Sequence, residues 1–311
     1  MINWETKVSF LPLLEKKLYE ELGVSEEVLT YTETLMNGIS TLISEYNPNS
    51  GITQQNASAT LQLNDMFVVL AEVEINYFKA ISQLRDACEK RREGSVWYEP
   101  WANTLHIIVD VCNGVYGKNS TKGLIQHELT HAYRDLLCKD KGFEKNAPES
   151  YSIATKLAYS NDENLSAASW AVYFTKCDEI SANANELYPW FLECVSDGTL
   201  DYTQILNDSI IYQAVIKVRK LNDRIQKEGR GILSNASKHL GIPIGNLVNI
   251  CTEFPKRAMA NISKVYAKAK KDYDDKMTRS ALDYGVSKHR RYVENTVRYY
   301  KYLLEENHET T

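Results

Sequence analysis

The chain has 311 residues, of which 43% are hydrophobic and 25% are charged, a balance that indicates an ordinary globular protein and argues against disorder. The formal net charge of −5 argues against a surface built to attract nucleic acid. Charged residues interrupt every short apolar run near the start, and no run of about 18 uncharged apolar residues occurs. We therefore predict neither a signal peptide nor a membrane-spanning helix.

The six cysteines are scattered along the chain, without a CxxC pair or a compact framework. Such spacing predicts reduced thiols, which fit a cytoplasmic protein better than an exported one. Export by a route that needs no signal peptide stays open.

The first 94 residues are predicted to form a helical region. Apolar residues recur at helical spacing in residues 10–22 and again in residues 63–84. Between these segments, NPNSGITQQNASAT at residues 47–60 contains a proline, a glycine and several small polar residues, which predict a loop.

Residues 95–198 are predicted to form a core with a small sheet. Residues 96–116 are rich in β-branched and aromatic side chains and predict one or two strands. Helical spacing returns in residues 121–138, with Ser120 or Thr121 as the expected N-cap. A loop and a long helix over residues 165–187 follow, and Pro189 is expected to mark the boundary after that helix.

Residues 199–311 are predicted to form further helices, interrupted near the segment GIPIGN at residues 241–246. The last part alternates lysines and arginines with tyrosines, which invites a nucleic-acid hypothesis. Aspartates dilute the positive charge there, so a solvated amphipathic helix is the preferred interpretation. The whole chain is thus predicted to be mostly helical with a small β-sheet, in the α+β class.

The segment HELTH at residues 127–131 carries the clearest chemical signal. His127 and His131 are four residues apart, so on a helix they lie one turn from each other on the same face and can bind one ion. Zinc in hydrolases is held by neutral nitrogen and carboxylate ligands, with one position left for water. Glu128 is placed to take a proton from that water.

This helix, with the strand-like segment before it, resembles the zincin metallopeptidases over residues 97–187. The resemblance implies a zinc-dependent enzyme that hydrolyses peptide bonds of a protein or peptide substrate, with Glu128 as general base. It also implies a substrate cleft beside the strand near residues 105–109.

The third metal ligand must come from another segment, because His131 is followed by AYRDLLCKDKG and not by the glycine and third histidine of the metzincins. In the gluzincins the third ligand is a glutamate on a later helix, with a polar residue four positions on that bonds a ligand histidine. Glu179 with Asn183 matches that pattern, although the 48 positions from His131 make a long spacer. Glu149 and Glu186 remain alternative ligands.

Two questions stay open at this level. Tyr173, Tyr133 and His106 are all candidates to stabilise a developing oxyanion, and no feature selects among them. The rival hypothesis is a non-catalytic binding or scaffold protein that keeps a zincin-like fold. The oligomeric state is not predicted.

Overall fold

The computed structural model describes residues 28–29, 32–45, 54–64, 67–79, 93–113, 118–137, 149–175, 177–197 and 200–306. From residue 281 onward it describes the backbone alone. Within these ranges the chain is mostly helical with one small mixed sheet, which confirms the predicted α+β class.

The sheet contains four strands, which are β1 (Gln54–Asn64), β2 (Phe67–Lys79), β3 (Glu93–Glu99) and β4 (Thr104–Asn113). Their order across the sheet is β1-β2-β4-β3. β2 and β4 run parallel, whereas β1 and β3 are each antiparallel to their neighbour. β4 is an inner strand with both backbone edges paired, so its own edge is not free to bind an extended substrate near residues 105–109. The edge strand on that side is β3.

The helix predicted over residues 63–84 is also wrong, because β2 occupies most of that segment. Its odd-numbered residues from Val69 to Tyr77 are buried, and Glu72, Glu74 and Asn76 lie between them on the other face. Apolar residues four apart, such as Val69 and Val73, fit a helical period and a strand period equally well. Burial of one face of a sheet decides between the two periods.

The expected loop at residues 47–60 is partly replaced by β1, an edge strand of small and polar residues paired with β2. β1 and β2, which lie in the region predicted to be helical up to residue 94, therefore belong to the same sheet as β3 and β4. The helix predicted over residues 10–22 lies outside the described residues.

The helices of the described residues are α1 (Glu33–Glu45), α2 (Lys118–Leu137), α3 (Glu149–Leu157), α4 (Glu163–Tyr173), α5 (Cys177–Asn185), α6 (Tyr188–Asp197), α7 (Tyr202–Asp208), α8 (Ile210–Glu228), α9 (Ser234–Leu240) and α10 (Ile244–Glu306). α1 packs across β1, and α2 packs across β3 and β4. α2 confirms the helix predicted at residues 121–138. Because it begins at Lys118, Ser120 and Thr121 lie inside it and are not its N-cap.

The single helix predicted over residues 165–187 is instead two helices, α4 and α5. The backbone N–H of Phe174 donates to the carbonyl of Trp170, and the Thr175 hydroxyl donates to the carbonyl of Val172 at 2.6 Å. These bonds satisfy carbonyl groups that the end of a helix leaves unpaired, so α4 can stop there. Pro189 lies in the first turn of α6, where a missing N–H costs little.

The helices α3 to α10 share a second hydrophobic core, separate from the one between α1, α2 and the sheet. α10 begins after Pro243, which confirms the interruption near GIPIGN. Among its residues up to 280, the last buried side chain is that of Ala269, and residues 274–280 are all exposed. No helix in the described ranges is both long enough and apolar enough to cross a membrane.

Candidate metal centre

Helix α2 carries the HELTH segment between the two hydrophobic cores. Leu124, Ile125 and Leu129 are buried against the sheet, which fixes how the helix is rotated about its axis. His127 and His131 lie on another face, and their side chains are 15% and 17% exposed. Their Nε2 atoms are 3.0 Å apart, and their rings meet edge to face. The two nitrogens therefore point at one small volume, as the spacing predicts.

Helix α5 brings Glu179 to the same volume. This buried carboxylate has Oε2 at 3.9 Å from Nε2 of His127 and Oε1 at 3.8 Å from Nε2 of His131. One donor atom from each of the three residues lies within 4.8 Å of the others. In the part of the chain that the structure describes, this is the one group of histidine, cysteine or carboxylate side chains with that geometry.

The donor distances fit a small cation. An ion that is tetrahedrally bound at about 2.0–2.2 Å from each ligand separates its ligand atoms by about 3.3–3.6 Å. The observed separations are 3.0 Å between the two Nε2 atoms, 3.8 Å from Nε2 of His131 to Oε1 of Glu179, and 3.9 Å from Nε2 of His127 to Oε2 of Glu179. They are close to that range, although the last two join different oxygens of the carboxylate. Two imidazoles and a carboxylate are a donor set that binds divalent transition metals. The three side chains could hold such an ion after small rotations.

Close backbone contact positions α5 against α2. A Cβ atom on Gly123 of α2 would lie 2.5 Å from the carbonyl oxygen of Glu186, so only glycine allows this approach. Nearby, the Asn185 amide donates to the Thr130 hydroxyl at 2.9 Å. Gly123 lies one turn before His127 and Thr130 lies between the two histidines, so both contacts set the distance of α5 from the histidines on α2.

Glu186 is the carboxylate next to a ligand histidine. Its Oε2 lies 3.5 Å from Nδ1 of His127, which is the ring nitrogen on the side away from Glu179. A carboxylate in that position favours the tautomer that leaves Nε2 free for a metal. Glu186 is thus placed to orient His127 and is not a member of the ligand group.

Asn183, which was expected to bond a ligand histidine, has a different partner. Its side-chain N–H donates to the backbone carbonyl of Glu179 at 2.8 Å, within α5 itself. No hydrogen bond joins it to either histidine among the described contacts. Because the chain leaves the helix after Asn185, Glu186 in the following turn can reach back towards α2 instead. α3 begins at Glu149, but that residue's side chain lies outside the described part.

Glu128 is held between α2 and the edge strand. It is buried, and its carboxylate lies so close to Gly94 of β3 that a Cβ there would be 2.2 Å from Oε1. The pKa of Glu128 is raised from 4.5 to about 7, mainly by burial; the charge of His131 opposes this shift and the charge of Glu179 adds to it. A carboxyl group with this pKa can both accept and release a proton near neutral pH.

Two tyrosines lie at the site. The Tyr173 hydroxyl donates to Oε2 of Glu179 at 2.6 Å, and the Tyr151 hydroxyl donates to Oε1 at 2.8 Å. Burial, together with the Glu179 charge, raises the pKa of Tyr173. Tyr173 was predicted for another role, and Tyr151 was not predicted, because α3 precedes Glu179 by more than 20 residues and no local pattern links the two.

The other two oxyanion candidates lie elsewhere. Tyr133 is fully buried in the hydrophobic core between α2 and the sheet. His106 points to the opposite face of the sheet, where its ring stacks on Trp97 and lies between the carboxylates of Glu72 and Glu99. The alternation of side chains along β4 separates His106 from the metal ligands.

The raised pKa of Glu128 predicts a pH-dependent effect on stability. The folded chain favours the protonated form, since the pKa rises from 4.5 to about 7. The stabilisation that this group contributes is therefore complete below pH 4.5 and is lost as the pH rises through 7.

In metal-free protein, Glu128→Gln should raise the free energy of unfolding by about 3 kcal/mol at pH 8 and change it little near pH 4. Urea titrations at the two pH values measure this difference. The exposed Glu163→Gln is the control, and a gain that is equal at both pH values would contradict the prediction.

Comparisons with known proteins do not assign this chain to a family. No protein-family model matches the sequence, no curated protein matches it, and no solved structure matches the fold.

Proposed function

We propose that this protein is a zinc-dependent metallopeptidase of the zincin type. The observation that carries the proposal is the convergence of His127, His131 and Glu179 beside the buried carboxylate of Glu128. Three protein ligands leave a position for a water molecule, which is the arrangement of catalytic zinc sites. Structural zinc sites have four protein ligands.

The roles of the residues follow from their positions. His127, His131 and Glu179 would hold the ion, and Glu186 would orient His127. When bound, zinc would activate a water molecule and polarise a carbonyl group. Glu128 would take the proton from the attacking water and return it to the leaving amine, for which its pKa of about 7 is suited.

The edge strand β3 is the proposed place for the substrate. Its outer edge has no strand partner among the described residues. A peptide added to that edge in extended conformation would form main-chain hydrogen bonds with β3. It would then run past Gly94 and bring its backbone beside Glu128. This position replaces the cleft expected next to β4.

Iron is the alternative metal. Two histidines and one carboxylate also bind Fe²⁺ in oxygenases, where several coordination positions stay open. The buried carboxylate of Glu128 beside the ligands favours zinc hydrolysis, because it supplies the base that this reaction needs. Metal analysis of the purified protein distinguishes the two ions.

The proposal is tested by metal removal and return. Protein as purified is expected to contain about one zinc per chain and to cleave members of a mixed peptide library. Chelation should abolish cleavage, and one equivalent of Zn²⁺ should restore it. Zinc-loaded protein that cleaves no peptide would overturn the peptidase assignment and favour the binding or scaffold role.

Gly94 offers a prediction that separates activity from folding. In Gly94→Ala the added methyl group would collide with the carboxylate of Glu128, which is the movable end of a side chain and can swing away. We expect a folded protein with unchanged zinc content and an activity reduced by about 10²-fold or more, since the general base is displaced. Gly245→Ala is the matched control, because no atom lies within 4 Å of the added Cβ. Equal activity of the two variants would show that Glu128 needs no close approach to β3.

A further inference from the structure

Glu179 is held by two aromatic side chains from different helices. Tyr151 lies on α3 and Tyr173 ends α4, and each donates its hydroxyl hydrogen to a different oxygen of the same carboxylate, at 2.8 and 2.6 Å. The two rings are stacked, with centroids 5.4 Å apart and planes 17° apart. The same two oxygens face the two histidines. Each oxygen of Glu179 thus has a tyrosine and a histidine in contact range.

The break between α4 and α5 makes this contact possible. Tyr173 and Glu179 are six residues apart, and in one continuous helix such residues would lie about 120° apart around the axis and about 9 Å apart along it. Because α4 ends at Tyr173 and α5 begins at Cys177, the chain turns and lets the Tyr173 hydroxyl meet the carboxylate. The interruption that the sequence did not predict is therefore part of the site.

The Tyr173 ring is anchored in the helical core. It packs edge to face on Trp170 and on Phe174, and Phe174 in turn stacks on Phe254 of α10. Rings packed in this way have few alternative rotamers. The position of the Tyr173 hydroxyl is consequently set by the core and not by Glu179.

We propose that Tyr151 and Tyr173 form a carboxylate clamp that holds Glu179 in its metal-binding position and thereby sets the affinity of the site. The inference rests on the metal site of the proposed function. A glutamate side chain has several rotatable bonds, and ordering it opposes ligand binding unless other contacts have already ordered it. The clamp provides that order before the ion arrives. The two tyrosines are positioning residues that act through Glu179.

A purely structural role makes a different prediction. The hydroxyls could serve only to satisfy a buried carboxylate. In that case Tyr→Phe would lower the stability of metal-free protein and leave the affinity for zinc unchanged. A positioning role predicts instead that each Tyr→Phe change weakens zinc binding, and that it does so only in a chain that still contains Glu179.

The test is a double-mutant cycle on Zn²⁺ affinity, measured on the full chain by competition with a chromophoric chelator. Tyr151→Phe and Tyr173→Phe are each expected to weaken Zn²⁺ binding about 10- to 100-fold, as loss of a partner to a metal ligand typically does. In a Glu179→Ala background the same changes should have no effect, because the hydroxyls act only through that carboxylate.

Tyr188→Phe is the matched control, since the Tyr188 hydroxyl also donates to a carboxylate, that of Asp272, at 2.6 Å and away from the metal ligands. It should leave Zn²⁺ affinity unchanged. Co²⁺ added in place of Zn²⁺ gives a second measurement, because its visible spectrum should change in the Tyr173→Phe protein and not in the Tyr188→Phe protein.

The outcomes separate the two proposals. Unchanged affinity in both clamp variants, or an equal loss with and without Glu179, overturns the clamp while the metal site stands. A wild-type chain that does not bind Zn²⁺ overturns the clamp and the metal site together. Zinc binding with the expected cycle but without peptide cleavage supports the clamp and removes only the peptidase assignment.

Discussion

Replacing Glu128 by glutamine is expected to lower peptide cleavage by about 10²- to 10⁴-fold, which is the usual contribution of a general base. Glutamine has nearly the same shape but cannot accept the proton. Zinc content should be unchanged, because Glu128 is not a member of the ligand group. Cleavage rates and zinc content of the same preparation measure both parts.

Two comparisons make this result specific. Glu163→Gln changes an exposed carboxylate on α4 in the same way and should leave cleavage unaltered. Above pH 7 the metal-free Glu128→Gln protein should also be more stable than the wild type. A loss of activity measured in that pH range therefore cannot come from unfolding. Loss of zinc from Glu128→Gln, or retained cleavage, would show that the role of Glu128 is misassigned.

Removing a ligand should have the largest effect on zinc binding. His127→Ala, His131→Ala and Glu179→Ala each delete one of three donors, so each should cost more affinity than the roughly 10- to 100-fold expected for a supporting residue. The double histidine variant should bind no zinc at stoichiometric concentration. Chelator competition gives the affinities, and circular dichroism checks that the helices persist.

The three glutamates allow a ranking within this experiment. Glu179→Ala should weaken binding most, and Glu186→Ala should weaken it less because its carboxylate only borders His127. Glu149→Ala, which tests the shorter spacer from His131, is expected to leave binding unchanged. A larger effect from Glu149 or Glu186 would move the third ligand. Full zinc occupancy in the double histidine variant would rule out this site altogether.

The loss on Glu186→Ala should also reverse in part with Glu186→Gln, because the amide oxygen of glutamine can still accept a hydrogen bond from Nδ1 of His127. That partial recovery would identify orientation of the ring, and not charge, as the contribution of Glu186.

Local spacing was enough to predict several features. The histidines four residues apart, the helix that carries them and the two strands before it all depend on contacts within about one or two turns of the chain. Glu179 was selected through a resemblance, and its place beside the histidines agrees with that choice. The interruption at Pro243 also follows from the local constraint that proline imposes.

Long-range packing decided the rest. Strand β2 could be distinguished from a helix only by its neighbours, since Val69 and Val73 fit both periods and pairing with β1 and β4 selects the strand. The approach of Glu186 to His127 across Gly123 and the contact of Glu128 with Gly94 join segments far apart in the chain. Tyr151 reaches Glu179 for the same reason. The residue types and the helical face of the candidate metal ligands were thus determined by sequence. The residues that hold and orient them were decided by tertiary packing, because contacts between distant segments leave no periodic trace.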